Sequence, residues 1–232
     1  MPAPAARSAP EPRALLWMVF AATAMLLGIL AVLTMSAHGA PTSMEVSAHR
    51  WALSHRSAVM VDVAVVVTTS GTSWAAYSLA AVAGALADRR FWWRGAVAGV
   101  LILAAGQALR MALAAVIGRE RPSPADWAWT ASGPAMPSGH TTTSAIVAVL
   151  LAVGLARRVP GRGRPWACAA PLLWAVAVGA TRVYLGMHWP GDVLAGWLLA
   201  AAWTSLLGAL ALRHEQHLTA AISSNSPQGR TT

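Results

Sequence analysis

Thr181-Arg182-Val183-Tyr184-Leu185-Gly186-Met187-His188-Trp189-Pro190-Gly191-Asp192 sets an arginine, a histidine and an aspartate between two long apolar runs. Charge beside a bilayer is expensive and is usually kept for function. Pro190 suits the first turn of a helix, which puts His188 just outside that helix and Asp192 just inside it. From there the carboxylate can hold one ring nitrogen of the imidazole, an arrangement that suits a nucleophile and its orienter.

The apolar runs recur along the whole chain. Of 232 residues, 56% are hydrophobic and only 11% charged, far from an ordinary soluble composition. Residues 14–35 form an uncharged run of 22, about 33 Å as a helix and enough to cross a hydrocarbon core. Such a run exceeds the h-region of a cleaved signal peptide, so it reads as a retained first span. Residues 36–56 carry His38, His49, His55, Glu45, Arg50 and Arg56, a composition suited to a watery loop or a helix lying on the interface. Over 57–87, Asp62 and the polar break from Thr68 to Ser73 predict an interfacial helix followed by a second span from about Thr69. Further spans are expected at 95–118, 138–156, 166–184 and 191–212, the first of these four interrupted by Gln107 and Arg110. A mid-span arginine must face the bundle interior or snorkel.

The reading is therefore all-α: a bundle of six transmembrane helices with an additional interfacial helix, forming one membrane domain over 14–212. A disordered tail, 1–13, precedes it and a polar tail, 213–232, follows. The formal charge of +9 comes entirely from arginine. A nucleic-acid binder would cluster that charge on a soluble face, whereas here it falls between apolar runs, so no nucleic acid is expected. The N-terminal tail, the 88–94 and 157–165 turns and the C-terminus hold 11 arginines, against five on the opposite face. The positive-inside rule then predicts a cell-membrane protein with both termini in the cytoplasm. Cys168 is alone, which leaves neither a disulfide frame nor a cysteine zinc site.

On this topology three segments meet at the outer face: Arg119-Glu120-Arg121-Pro122, Pro137-Ser138-Gly139-His140 and the 181–192 stretch. The second has the chemistry of a helix N-terminus, with Ser138 able to cap and Gly139 letting an anion approach free N–H groups. With Arg121 and Arg182 added, the pocket suits a phosphate. His140, His188 and Asp192 are metal-ligand types, but the two arginines would repel a cation, so no metal is expected.

These motifs resemble those of the type 2 phosphatidic acid phosphatase superfamily, whose fold is shared with vanadium haloperoxidases and bacterial acid phosphatases. The family pattern is Lys-x6-Arg-Pro, Pro-Ser-Gly-His and Ser-Arg-x5-His-x3-Asp. Here the second motif is intact, the third reads Thr181-Arg182 to His188 to Asp192, and the first keeps Arg121-Pro122 with Ala114 at the lysine position. The resemblance implies a membrane phosphatase that needs no cofactor and acts on a lipid phosphate or diphosphate at the outer face. It implies His188 as nucleophile through a phosphohistidine, Asp192 as its orienter and His140 as general acid and base. Arg121, Arg182, Ser138 and the Gly139 amide are implied as phosphate holders. A polyprenyl diphosphate, phosphatidylglycerol phosphate or phosphatidic acid are the substrates it suggests. A phosphotransferase using the same intermediate and a non-catalytic lipid-phosphate binder are the rival readings. For the charge missing at Ala114, Arg110 lies one helical turn earlier and Arg119 already sits at the outer face; Arg119 is preferred because it needs no reach.

Overall fold

The computed structural model describes residues 11–224. Within them the chain forms eight α-helices and two short 3-10 turns. In order they are α1 (Pro12–Ser36), α2 (Ser43–Ser54), α3 (Ala58–Ser70), α4 (Ser73–Ala87), α5 (Trp92–Ile117), α6 (Gly139–Ala156), α7 (Arg164–Tyr184) and α8 (Pro190–Ser224). Five of the described helices, α1, α5, α6, α7 and the Pro190–His214 part of α8, are long and apolar enough to cross a membrane. Their outward side chains are apolar, as at Met18, Val32, Leu101, Val116 and Leu173.

The expected second span is not among these five. At 15 residues α4 is about 22 Å long, short of the roughly 30 Å core. It is preceded by α3, which runs along α7; α2 and α3 together are the candidate for a sixth span. Ser57 N–H donates to Tyr184 Oη (3.3 Å) at one end of α7, and Trp174 Nε1 donates to Ser70 Oγ (2.9 Å) farther down. At the opposite end Arg157 and Arg158 donate to the last carbonyls of α4, Ala85 to Ala87, at 2.7–3.0 Å. Those carbonyls lack intrahelical partners, and cations suit a helix C-terminus. Gly71 sits at the break between α3 and α4, where a Cβ would stand 2.9 Å from Val178 Cγ1. The helix set across the bundle is α2, turned by 119° relative to α3.

At the centre lies α6, whose residues from Thr141 to Ala148 are all buried. It packs against α4, α5, α7 and α8, and Ile146 and Val147 join Leu103, Ala175 and Ala200 in one core cluster. On the flank α1 packs along α8. Two tail expectations change. Pro12, at a position where its missing N–H costs nothing, starts α1 inside the expected tail, and α8 continues helical from Leu212 to Ser224. Residues 1–10 and 225–232 of those tails lie outside the described residues.

Small residues bring α4 and α5 to backbone contact. A Cβ at Gly84 would collide with the Gly95 carbonyl, and one at Gly99 with the Ala80 carbonyl. Without a hydrophobic drive between helices in lipid, this close packing is what holds such a pair together. Gly84→Val is therefore expected to destabilise the bundle by at least ~1–3 kcal/mol. In contrast Gly28→Ala, where nothing lies within 4 Å of the added Cβ, should be neutral. Thermal unfolding in detergent would read the difference as a lower Tm for the first variant only.

Candidate active site

The antiparallel crossings of α5, α6, α7 and α8 bring four chain ends to one end of the bundle. Gly118, in the left-handed conformation (φ 63°), ends α5 and releases the chain into the segment carrying Arg119 and Arg121. Ser138 N–H donates to Asp192 O (2.9 Å), which ties the start of α6 to the start of α8. Gly186 (φ 82°) turns the chain between α7 and His188, and a Cβ there would strike Arg56 and the Asp126 backbone.

These ends enclose a cavity of about 340 Å³ lined by Arg110, Arg121, Gly139, His140, Arg182 and His188, with the backbone stretch 130–132 closing one side. His188 is 1% exposed. Its Nδ1 lies 3.3 Å from Asp192 Oδ2, and its Nε2 lies 2.6 Å from Arg121 Nη1. A guanidinium can only donate, so Nε2 accepts, and the tautomer that follows carries its proton on Nδ1 toward the carboxylate. Asp192 Oδ2 also accepts from Trp189 N–H (2.9 Å), which fixes the carboxylate against the turn before α8.

Arg121 is held by backbone carbonyls: Nε donates to Gly133 O, Nη2 to Ser132 O and Nη1 to Met187 O, at 2.9–3.0 Å. Arg182 donates through Nη1 to Thr68 Oγ1 (3.1 Å), and its buried Nε has no hydrogen-bond partner among the described residues. Arg110 reaches up from the preceding turn of α5 to donate to Pro137 O (3.2 Å). A Cβ at residue 139 would stand 3.3 Å from Arg110 Cζ, so the glycine gives this guanidinium its space. Three guanidiniums thus face one cavity with no carboxylate among the lining residues, an electrostatic arrangement suited to a multiply charged anion.

The sequence expectations divide at this point. His188, Asp192, His140, Arg121, Arg182 and Gly139 come together at the cavity or directly behind it. Ser138 is the residue before α6, but it is fully buried, outside the cavity lining, and its hydroxyl accepts from Thr141 Oγ1 (3.0 Å). Arg119, preferred as the stand-in for a lysine at Ala114, does not line the cavity. It donates to Glu45 through Nη1 (3.0 Å) and Nη2 (2.9 Å), to Asp192 Oδ1 through Nη1 (2.9 Å) and to Gly39 O through Nε (3.2 Å). The reason is solvation: at 3% exposure the guanidinium needs carboxylate partners, and these two lie behind the histidine. Arg110 occupies the cavity instead. Glu45 was missed altogether. Its only sequence signal is the Thr42-x-x-Glu45 spacing of a capping box, which announces the start of α2 and nothing about Arg119.

The chain is similar to known proteins in both sequence and fold. The model of the PAP2 superfamily matches residues 95–214. Phosphatidylglycerophosphatase B of Escherichia coli is 43% identical over 82 residues, 35% of this chain and 31% of that protein. Undecaprenyl-diphosphatase of Sulfolobus acidocaldarius is 36% identical over 86 residues, 37% of this chain and 34% of that protein. The chain thus spans about a third of the length of these two relatives. Among solved structures, the transmembrane PAP2 type phosphatidylglycerolphosphate phosphatase from Bacillus subtilis superposes with a TM-score of 0.73 at 25% identity, covering 84% of this chain and 96% of that one.

Burial pushes the His188 imidazole well below its ordinary pKa, and the nearby charges of Arg121, Arg182 and Arg110 push it further the same way. The folded protein therefore binds this proton less readily than the unfolded chain does. Its contribution to stability is present in full above about pH 6.5 and declines as pH falls through that value. Nitrogen NMR of histidine-labelled protein, assigned with His188→Gln, is expected to show this ring still neutral at pH 6. A ring half-protonated near pH 6.5 would contradict the packing described.

Proposed function

Because the chain belongs to the PAP2 superfamily over residues 95–214, we propose that it is a membrane phosphatase of a lipid phosphate or diphosphate, working through a phosphohistidine. The observation that carries this reading is the His188 ring, with Nδ1 toward Asp192 and an unprotonated Nε2 beside Arg121 in an arginine-lined cavity. Such a nucleophile is already neutral and already aimed.

In the first step the Nε2 lone pair attacks phosphorus and the bond to the leaving oxygen breaks. His140, across the cavity, gives that oxygen a proton. Asp192 keeps the Nδ1 proton in place and offsets the positive charge that the ring acquires. In the second step His140 takes a proton from water, the water oxygen attacks phosphorus, and the P–N bond returns its electrons to Nε2. Arg110, Arg121, Arg182 and the Gly139 amide hold the non-bridging oxygens as charge moves across them. Arg110 fills the role that a lysine at Ala114 would have. Its guanidinium arrives from one turn lower in α5, through the space that Gly139 leaves.

The relatives' substrates, as their names give them, favour a polyprenyl diphosphate or phosphatidylglycerol phosphate here. The arginine distribution along the chain supports an extracytoplasmic site with both termini in the cytoplasm. A lipid presented from the bilayer would place its headgroup in the cavity and leave its tails among the apolar outer faces of the bundle.

The deciding experiment is phosphate release by the purified protein from a panel of lipid phosphates and diphosphates. His188→Ala is expected to abolish turnover and the burst of phosphoenzyme without loss of folded protein. His140→Ala should slow turnover by ~10²–10⁴, and Arg110→Ala by roughly 10²–10³. Arg110→Lys, which keeps the charge, should recover part of that loss. Wild-type release by His188→Ala would end the phosphohistidine reading, and unchanged kinetics in Arg110→Ala would remove that arginine from the phosphate pocket.

A further inference from the structure

Behind the His188–Asp192 pair runs a second row of charges. Arg119 stands between two carboxylates, with Nη1 shared between Asp192 Oδ1 (2.9 Å) and Glu45 Oε1 (3.0 Å) and Nη2 on Glu45 Oε2 (2.9 Å). Exposures of 3% for Arg119, 8% for Glu45 and 0% for Asp192 put all three out of water. Glu45 also accepts the Gly191 N–H through Oε1 (3.1 Å), one residue before Asp192, and the Thr42 N–H through Oε2 (2.8 Å). A Cβ at residue 191 would stand 2.6 Å from Glu45 Oε1, so a glycine is what lets the carboxylate reach that amide.

A carboxylate that only capped α2 would need the Thr42 contact and could face solvent. This one is buried and accepts three further hydrogen bonds, two from Arg119 and one from the Gly191 amide. We infer that Glu45 is a positioning residue for phosphoryl transfer: through Arg119 and the Gly191 amide it fixes the Asp192 carboxylate, and through Asp192 the attacking ring of His188. The inference rests on the reading of His188 and Asp192 as nucleophile and orienter. Glu45 lies outside residues 95–214, the part of the chain that carries the family match.

The second carboxylate matters for charge as well as for placement. With Glu45 present, Arg119 divides its positive charge between two anions, and Asp192 keeps negative charge to set against the ring cation of the phosphohistidine. Without Glu45, Arg119 would be neutralised by Asp192 alone, and the transition state leading to that cation would lose support. The phosphate pocket, built from Arg110, Arg121 and Arg182, is untouched by the change. The expected signature is thus a loss in kcat with substrate binding preserved.

The test compares wild type, Glu45→Gln, Glu45→Asp, Asp192→Asn and the Glu45→Gln/Asp192→Asn double variant, with a short-chain phosphatidate as substrate and inorganic phosphate as competitive inhibitor. Glu45→Gln is expected to lower kcat by about 10²-fold, the scale of a small misplacement at the reacting atoms. KM and inhibition by phosphate should stay within about twofold. Glu45→Asp keeps the charge but shortens the reach, and should fall between Glu45→Gln and wild type; if Glu45→Gln does not fold, a lowered kcat with unchanged phosphate inhibition in Glu45→Asp serves the same purpose. In the Asp192→Asn background the Glu45 substitution should cost less than about twofold more. Unchanged kcat in the folded Glu45 variants would overturn the inference, as would an equal loss with or without Asp192, or weakened phosphate inhibition in step with kcat. Wild-type turnover in Asp192→Asn would instead strike at the nucleophile–orienter reading itself.

Discussion

A guanidinium taken out of water must be met by negative charge, and Arg119 is where this molecule meets that requirement. Removing one partner of such a buried pair typically costs ~3–5 kcal/mol, because the survivor is left charged and dry. Its partners come from α2 and α8, and its Nε is held by the loop after α1. Although burial alone would weaken its hold on its proton, the ion pairs with Glu45 and Asp192 outweigh that and raise its pKa. Three parts of the chain that are distant in sequence are thereby fixed relative to one another at the end of the bundle where the histidines lie.

The arginines on the other side of Asp192 are treated in the opposite way. Arg110, Arg121 and Arg182 are steadied by carbonyl oxygens, a threonine hydroxyl and a methionine sulfur, none of which carries a full charge. Positive charge is placed without being neutralised, which is the condition for binding a phosphoryl group whose charge shifts during reaction. One arginine with acids and three without them divide the site into a scaffold and a receptor. The boundary between the two is the His188–Asp192 pair.

Much of this was legible from the chain alone because membrane spans and charged interruptions are strong signals. The run at 14–35, the turn at 157–165 and the Pro-Ser-Gly-His and Thr-Arg to Asp192 motifs each fix an element or a site residue by composition and spacing. The break at Gly71 was visible, but its consequence was not. The placement of Ala58–Ser70 beside α7 includes Thr68 meeting Arg182, a contact 114 residues apart in sequence. Arg119 and Arg110 were both recognised as candidates for the missing lysine charge, and choosing between them failed on the same ground. Proximity in sequence to the outer face favoured Arg119, while the burial of Glu45 and Asp192 beside it decided where its guanidinium goes. Glu45 itself carries only a local capping signal, and no pattern within residues 42–45 encodes a partner at 119.

The two ends of the bundle are fastened by different means, and they will answer differently to their surroundings. At the end away from the histidines, α4 and α5 meet through Gly84, Gly95 and Gly99, backbone on backbone, with no side chain to move aside. That seam has no rotamers to change and no charge to screen. At the histidine end, most of the fastening is by long side chains whose alternatives are other hydrogen bonds. Displacing the seam would drive carbonyl oxygen into α-carbon, whereas at the histidine end a displaced side chain exchanges one hydrogen-bond partner for another.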